Sequence, residues 1–231
     1  MTTTRAHFDT ELSALRDKML EMATCADNMV ALSVEALETG DLELVHEVIQ
    51  RDDTVDQLDL DIEARCLRLI ATQQPVARDL RIIGTALKVI TDIERIGDYA
   101  VDIAKIGRRL VRAHEMYHPL VDLPRLTQLS RVMLHDALQA FIHHDLDLVD
   151  RVIRSDDAVD ALYHSMRTRL THLLAEDPAH SLLALNTLFA AKYLERISDH
   201  VVNIAERVCF IETGDLKHMS PTAAMRDDQT V

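Results

Sequence analysis

The chain has 231 residues, and 39 Asp and Glu against 25 Lys and Arg give it a formal net charge of −14. That balance excludes phosphate-backbone contacts as its main business, so no nucleic-acid partner is expected. A hydrophobic share of 48% is enough for a sizeable core, while five Gly, five Pro, no Trp and 3% aromatics leave few turns and few sheet fillers, so the expected class is all-α.

In chain order, Leu12, Leu15, Met19 and Met22 recur at helical spacing and define a first helix that stops at Gly40-Asp41. A second carries Val55, Leu58, Ile62, Cys66 and Leu69 and ends at Gln74-Pro75; a third runs toward Pro119 and Pro124. The remaining breaks are Asp177-Pro178 and Gly214, after which "DLKHMSPTAAMRDDQTV" is polar and aperiodic and reads as a mobile tail. The second half repeats the first. Residues 41–65 and 145–169 are identical at 12 of 25 positions, including Asp41 with Asp145, Asp52-Asp53 with Asp156-Asp157 and Asp56 with Asp160. "ERIGDYAVDIAK" from Glu94 returns as "ERISDHVVNIAE" from Glu195, identical at seven of 12 positions. Breaks and repeats together predict six long amphipathic helices in a tandem pair of three-helix bundles, residues 1–115 and 116–214, followed by a tail at 215–231.

On a helical wheel Glu94, Asp98 and Asp102 fall within about 80° of one another, opposite Ile93, Ile96, Ala100 and Ile103. Like charges one turn apart cost a few tenths of a kcal/mol per pair, and a hard cation that takes carboxylate oxygens would offset the repulsion. Asp52, Asp56, Asp59 and Glu63 form a second acidic stripe on the preceding helix and could face the first. The same pattern also fits a plain solvated face, and the residues alone leave both readings open. In the second half Glu195 and Asp199 keep their places, Asn203 replaces Asp102, and Asp156 and Asp160 are the helpers, so that site has less charge. Arg95 and Arg196 lie beside the stripes as partners for neighbouring carboxylates, and His200, about 100° from Asp199, reads as a packing residue.

"HEMYH", His114 to His118, has the zinc-protease spacing, but Pro119 biases His118 out of the helix such a site requires. "ELVH" at Glu43 to His46 becomes "DLVD" in the second half, which removes half the ligands of a ferritin-type di-iron centre. Cys25, Cys66 and Cys209 are odd in number and lack Cys-x-x-Cys, which fits reduced thiols packed as small core residues. "MTTTRAHFDTE" has no signal-peptide run and no stretch reaches about 18 apolar residues, so the expectation is a cytoplasmic protein without direct membrane insertion.

"QPVARDLRIIGTALKVITDIERIGDYAVDIAK", Gln74 to Lys105, closely resembles the signature of the PhoU family of phosphate-regulon accessory proteins, and the two-fold repeat resembles that family over nearly the whole chain. The resemblance implies a cytoplasmic, non-enzymatic negative regulator of the phosphate-starvation response. Its implied partners are the ATPase subunit of a phosphate ABC transporter, a PhoR-type sensor histidine kinase and a second copy in a homodimer. It further implies divalent or trivalent metal ions, such as iron, zinc, manganese or magnesium, on Glu94, Asp98, Glu195 and Asp199, with Asp102 and Asn203 one turn on. The alternative from a different class is a carboxylate-metal hydrolase built on the same bundles. "EDPAHSLLALN" stands where the second repeat would carry "QPVARDLR", a departure that bears on the second site.

Overall fold

The Gly40-Asp41 break is where the sequence first commits to a turn, and the computed structural model, which describes residues 2–215 (backbone only for residues 2–5), shows how. Helix α1, Thr2–Thr39, ends with Gly40 at φ +70°, a left-handed conformation glycine adopts without a Cβ penalty. Asp41 then caps α2, Leu42–Gln73, its side chain accepting from the Glu43 N–H at 2.8 Å. The second repeat makes the same turn with neither Gly nor Pro. His144 (φ +56°) ends α4, Leu123–His143, and Asp145 caps α5, Leu146–Glu176, accepting from the Asp147 and Leu148 N–H groups. Gln74 at φ +46° closes α2 before Pro75, and α3 runs Ala77–Arg112. A short 3-10 turn, Pro178–His180, leads into α6, Ser181–Thr213.

The six long helices form two three-helix bundles, α1 to α3 and α4 to α6, with no strand among the described residues. They are joined along two contacts, α1 on α4 and a long antiparallel pairing of α3 with α6, so the buried side chains make one continuous core. α3 is packed against α1, α2 and α6, which is why its buried arc is wide: Ile83, Ile90, Ile93, Ile96 and Ile103 all lie within it. Each such isoleucine contributes about 1.5–3 kcal/mol by leaving water. Gly107 sets the approach of α3 to α1, because a Cβ there would stand 3.0 Å from the Ala36 carbonyl oxygen and the Leu37 Cα. Where α1 meets α4, Arg131 grips Asp27 with two hydrogen bonds of 2.8 Å. By the offset that aligns Asp41 with Asp145 these are equivalent positions, so the repeats meet about a pseudo-two-fold axis. The predicted tail lies, beyond Asp215, outside the described residues.

Candidate metal centres and the seam between the repeats

Two acidic clusters arise where α2 meets α3 and where α5 meets α6. In the first, Asp52 sits between the helices, its Oδ1 3.5 Å from the point where a Cβ on Gly97 would be. Burial, reinforced by Asp56 and Asp98, pushes the Asp52 carboxyl up to about 6. Burial likewise raises Glu94, opposed by Arg95 and reinforced by Asp98, Asp59 and Asp56. In the second cluster Asp156 is buried, at 7% exposure, and burial with Asp160 and Asp199 pushes it up to about 7. Burial also raises Asp160, reinforced by Asp199, and raises Glu195 against a hydrogen bond from Lys192.

Four carboxylates therefore gather in each repeat: Asp52, Asp56, Glu94 and Asp98, and Asp156, Asp160, Glu195 and Asp199. The donor set is oxygen alone, which suits a hard cation. No ion pair reaches Asp52 or Asp156 among the described residues. Asp98 and Asp199 do have partners, Arg95 at 2.8 Å and Arg196 at 2.9 Å, as their spacing predicts. As the side chains stand, no group of three His, Cys, Asp or Glu converges to ligating distance among the described residues. The oxygens are gathered in each cluster, and carboxylate rotation would have to complete a coordination shell.

Asp102 and Asn203 are placed elsewhere. An acidic stripe spaced by four drifts about 40° per turn, and by the third member the drift carries the side chain toward the α3–α6 pairing. Asp102 pairs with Lys105 at 3.3 Å and, after burial, is what raises the Tyr193 phenol on α6. Asn203 donates to Asp92 Oδ1 at 3.2 Å. His200, the predicted packing residue, donates from Nδ1 to the same oxygen at 2.8 Å and lies against Tyr99. Tyr99 also stacks on Tyr193, ring centroids 5.6 Å apart.

The seam obeys the pseudo-two-fold. By the offset aligning Glu94 with Glu195, Asp92 corresponds to Tyr193, Tyr99 to His200 and Asp102 to Asn203. Asp92 with His200 thus matches Tyr193 with Tyr99, and Asp92 with Asn203 matches Tyr193 with Asp102. One side is polar and the other aromatic. Sequence reasoning missed Asp92 entirely; its signal was a carboxylate two residues before Glu94, off the acidic stripe and on the side of α3 that α6 covers.

The zinc-protease spacing comes to nothing here, since α3 ends at Arg112 and His114 to His118 lie in the connection. His118 instead meets His180 edge to face, centroids 5.2 Å apart. All three cysteines are free, and burial pushes the Cys66 thiol up to about 12.

The PhoU domain family model matches residues 19–107 and 123–208, one match per bundle. The chain belongs to the PhoU family. A phosphate-specific transport system accessory protein PhoU homolog from Clostridium acetobutylicum is 38% identical over 213 residues, covering 91% of this chain and 96% of that protein. One of the same name from Aquifex aeolicus is 38% identical over 210 residues, covering 90% and 94%. Among solved structures, PhoU from Pseudomonas aeruginosa superposes with a TM-score of 0.85 at 34% identity, covering 90% of this chain and all of that one. The phosphate transport system regulatory protein PhoU from Streptococcus pneumoniae gives 0.84 at 28%, covering 92% and 100%. The PhoU family is one of accessory and regulatory proteins rather than enzymes, which sets aside the carboxylate-metal hydrolase. No helix among the described residues is long and apolar enough to cross a membrane.

Proposed function

We propose that this chain is a cytoplasmic accessory protein of a phosphate-specific transport system that restrains the phosphate-starvation response as a metal-binding adaptor. The observation that carries the reading is the PhoU match to both repeats, each with carboxylates gathered around one withdrawn aspartate, the partly buried Asp52 in the first and the buried Asp156 in the second. Its proposed partners are the transporter's ATPase subunit and a PhoR-type sensor histidine kinase, and it works as a homodimer. A protein of charge −14 with no membrane-crossing helix among its described residues reaches a transporter through protein contacts.

A bound divalent or trivalent cation would neutralise the clustered charge. Asp52, Asp56, Glu94 and Asp98 hold it in the first bundle and Asp156, Asp160, Glu195 and Asp199 in the second. Each set spans two helices, so an ion held there would tie α2 to α3 and α5 to α6, while Arg95 and Arg196 keep Asp98 and Asp199 oriented. Asp102 and Asn203 belong to the seam and not to the sets.

The test is genetic and biochemical together. Deleting the gene should leave phosphate-scavenging promoters active in phosphate-rich medium, and metal-loaded protein should retain the transporter ATPase or the kinase's cytoplasmic part in a pull-down. Unchanged reporter expression sinks the regulatory reading; failure of both pull-downs sinks the adaptor.

A further inference from the structure

The homodimer proposed above has no face assigned to it, and the outer side of α2 offers one. The buried seam of α2 is Val55, Leu58, Ile62, Cys66 and Leu69. About 180° away, opposite that seam, lie Leu60, Ala64, Leu67 and Ala71, all exposed, with Leu60 at 59% and Leu67 at 54%. Their spacing of four, three and four residues is that of a coiled-coil seam with Leu and Ala alternating. At the equivalent positions of α5 stand His164, Thr168, Thr171 and Ala175. There His164, Thr168 and Thr171 bond to carbonyls of their own helix, at 2.7, 3.0 and 2.6 Å, as a solvated face does. The apolar stripe is therefore particular to α2 and is not imposed by the repeat.

We propose that a second copy of this chain docks here, α2 against α2, antiparallel. In that register Leu60 faces Ala71 of the other copy and Ala64 faces Leu67, so each large residue meets a small one in four layers. The flanking positions agree. Antiparallel seams pair like-lettered flanks, which sets Asp61 of one copy beside Arg68 of the other, twice about the two-fold. Both Asp61 and Arg68 are exposed, and neither forms an ion pair among the described residues; Asp61 accepts only from Gln57 on its own helix. Self-complementarity in size and in charge is the argument for a second copy over an unrelated partner. The seam is about 16 Å long. A contact that short belongs at the small end of specific interfaces, so the dimer is one that concentration controls.

Sedimentation velocity of the full chain from about 5 to 500 µM tests it. A monomer–dimer equilibrium is expected, and L60Q/L67Q should weaken it tenfold or more with unchanged helical circular dichroism and melting temperature, since both leucines are more than half exposed. Asp61→Arg alone and Arg68→Asp alone should each weaken it, and the double swap should restore it. A chain monomeric at every concentration overturns the dimer itself. A dimer indifferent to L60Q/L67Q overturns this face and leaves the proposed homodimer standing. Indifference to Asp61→Arg overturns the antiparallel pairing, because a parallel seam would use Glu63 with Arg68.

Discussion

Asp92 on α3 and His200 on α6 share a hydrogen bond of 2.8 Å across the boundary between the repeats, with both side chains about 85% withdrawn from solvent. Asn203 adds a second donor to the same Asp92 oxygen. A carboxylate held in this way is costly to strand. Asp92→Ala removes the shared acceptor and leaves His200 and Asn203 unpaired, so it should lower unfolding stability by about 1–3 kcal/mol. Urea denaturation reads the effect. A change under about 0.5 kcal/mol would show that the seam is held by the aromatic side alone.

The approach of α3 to α1 makes a second expectation. Gly107→Ala puts a methyl 3.0 Å from the Ala36 carbonyl oxygen and the Leu37 Cα, which are backbone atoms that cannot rotate aside. It should cost about 1–3 kcal/mol as the helices are forced apart. Gly97→Ala, where the nearest contacts are side-chain atoms at 3.5 Å, should be neutral or stabilising by up to about 1 kcal/mol from helix propensity. Equal losses at both positions would contradict the packing described.

Burial of Asp156 fixes the sign of a pH effect. Its carboxyl titrates near 7 in the fold against an ordinary 3.8, so the native state holds a proton that the unfolded chain gives up. Its contribution is fully present below about pH 4 and is lost as pH rises through about 7, with a ceiling of about 4 kcal/mol. Asp52 adds the same trend up to about 6. Metal-free Asp156→Asn should therefore melt several degrees higher than wild type at pH 8 and lose much of its dependence between pH 5 and 7. With metal saturating, the order should reverse, because the carboxylate is then needed charged. Calorimetry at both pH values, with and without metal, decides it, and the same order in both conditions would return the stripes to solvated surface.

Six helices, two bundles and the acidic pairs were legible because each rests on periodicity or repetition within the chain. The turn at His144 is not among the breaks the sequence marks, since His144 carries no turn chemistry of its own and only alignment with Gly40 points to it. What could not be read was which neighbour each helix face would meet. The wheel kept Asp102 with Glu94 and Asp98, but α6 lies on the side toward which the stripe drifts, and Asp102 and Asn203 went to it. Asp156 looked like one acid among several; its burial follows from the closeness of α5 to α6, which no local pattern encodes.

The last expectation concerns the inequality of the two clusters. The sequence placed it in Asp102 against Asn203, but both residues lie on the seam, so each cluster keeps four carboxylates. The difference lies in Lys192, whose ammonium reaches Glu195 Oε2 at 2.5 Å and lies 5.3 Å from the centre of the Tyr163 ring. Its equivalent in the first repeat is Thr91, so beyond the arginine each cluster has, Arg95 or Arg196, the second carries an ammonium that a metal must displace or tolerate. Lys192→Met should tighten metal binding at the second cluster by tenfold or more, about 1.4 kcal/mol, since even well-screened charges at such separations interact by that much. Asp98→Asn should weaken the first cluster alone. Asn203→Asp should leave metal affinity unchanged and lower stability, by setting a second carboxylate against Asp92. Titration calorimetry on chelator-stripped protein, with each variant's melting temperature, separates these outcomes. A gain in affinity from Asn203→Asp with no loss of stability would put Asn203 back in the metal site and overturn its assignment to the seam.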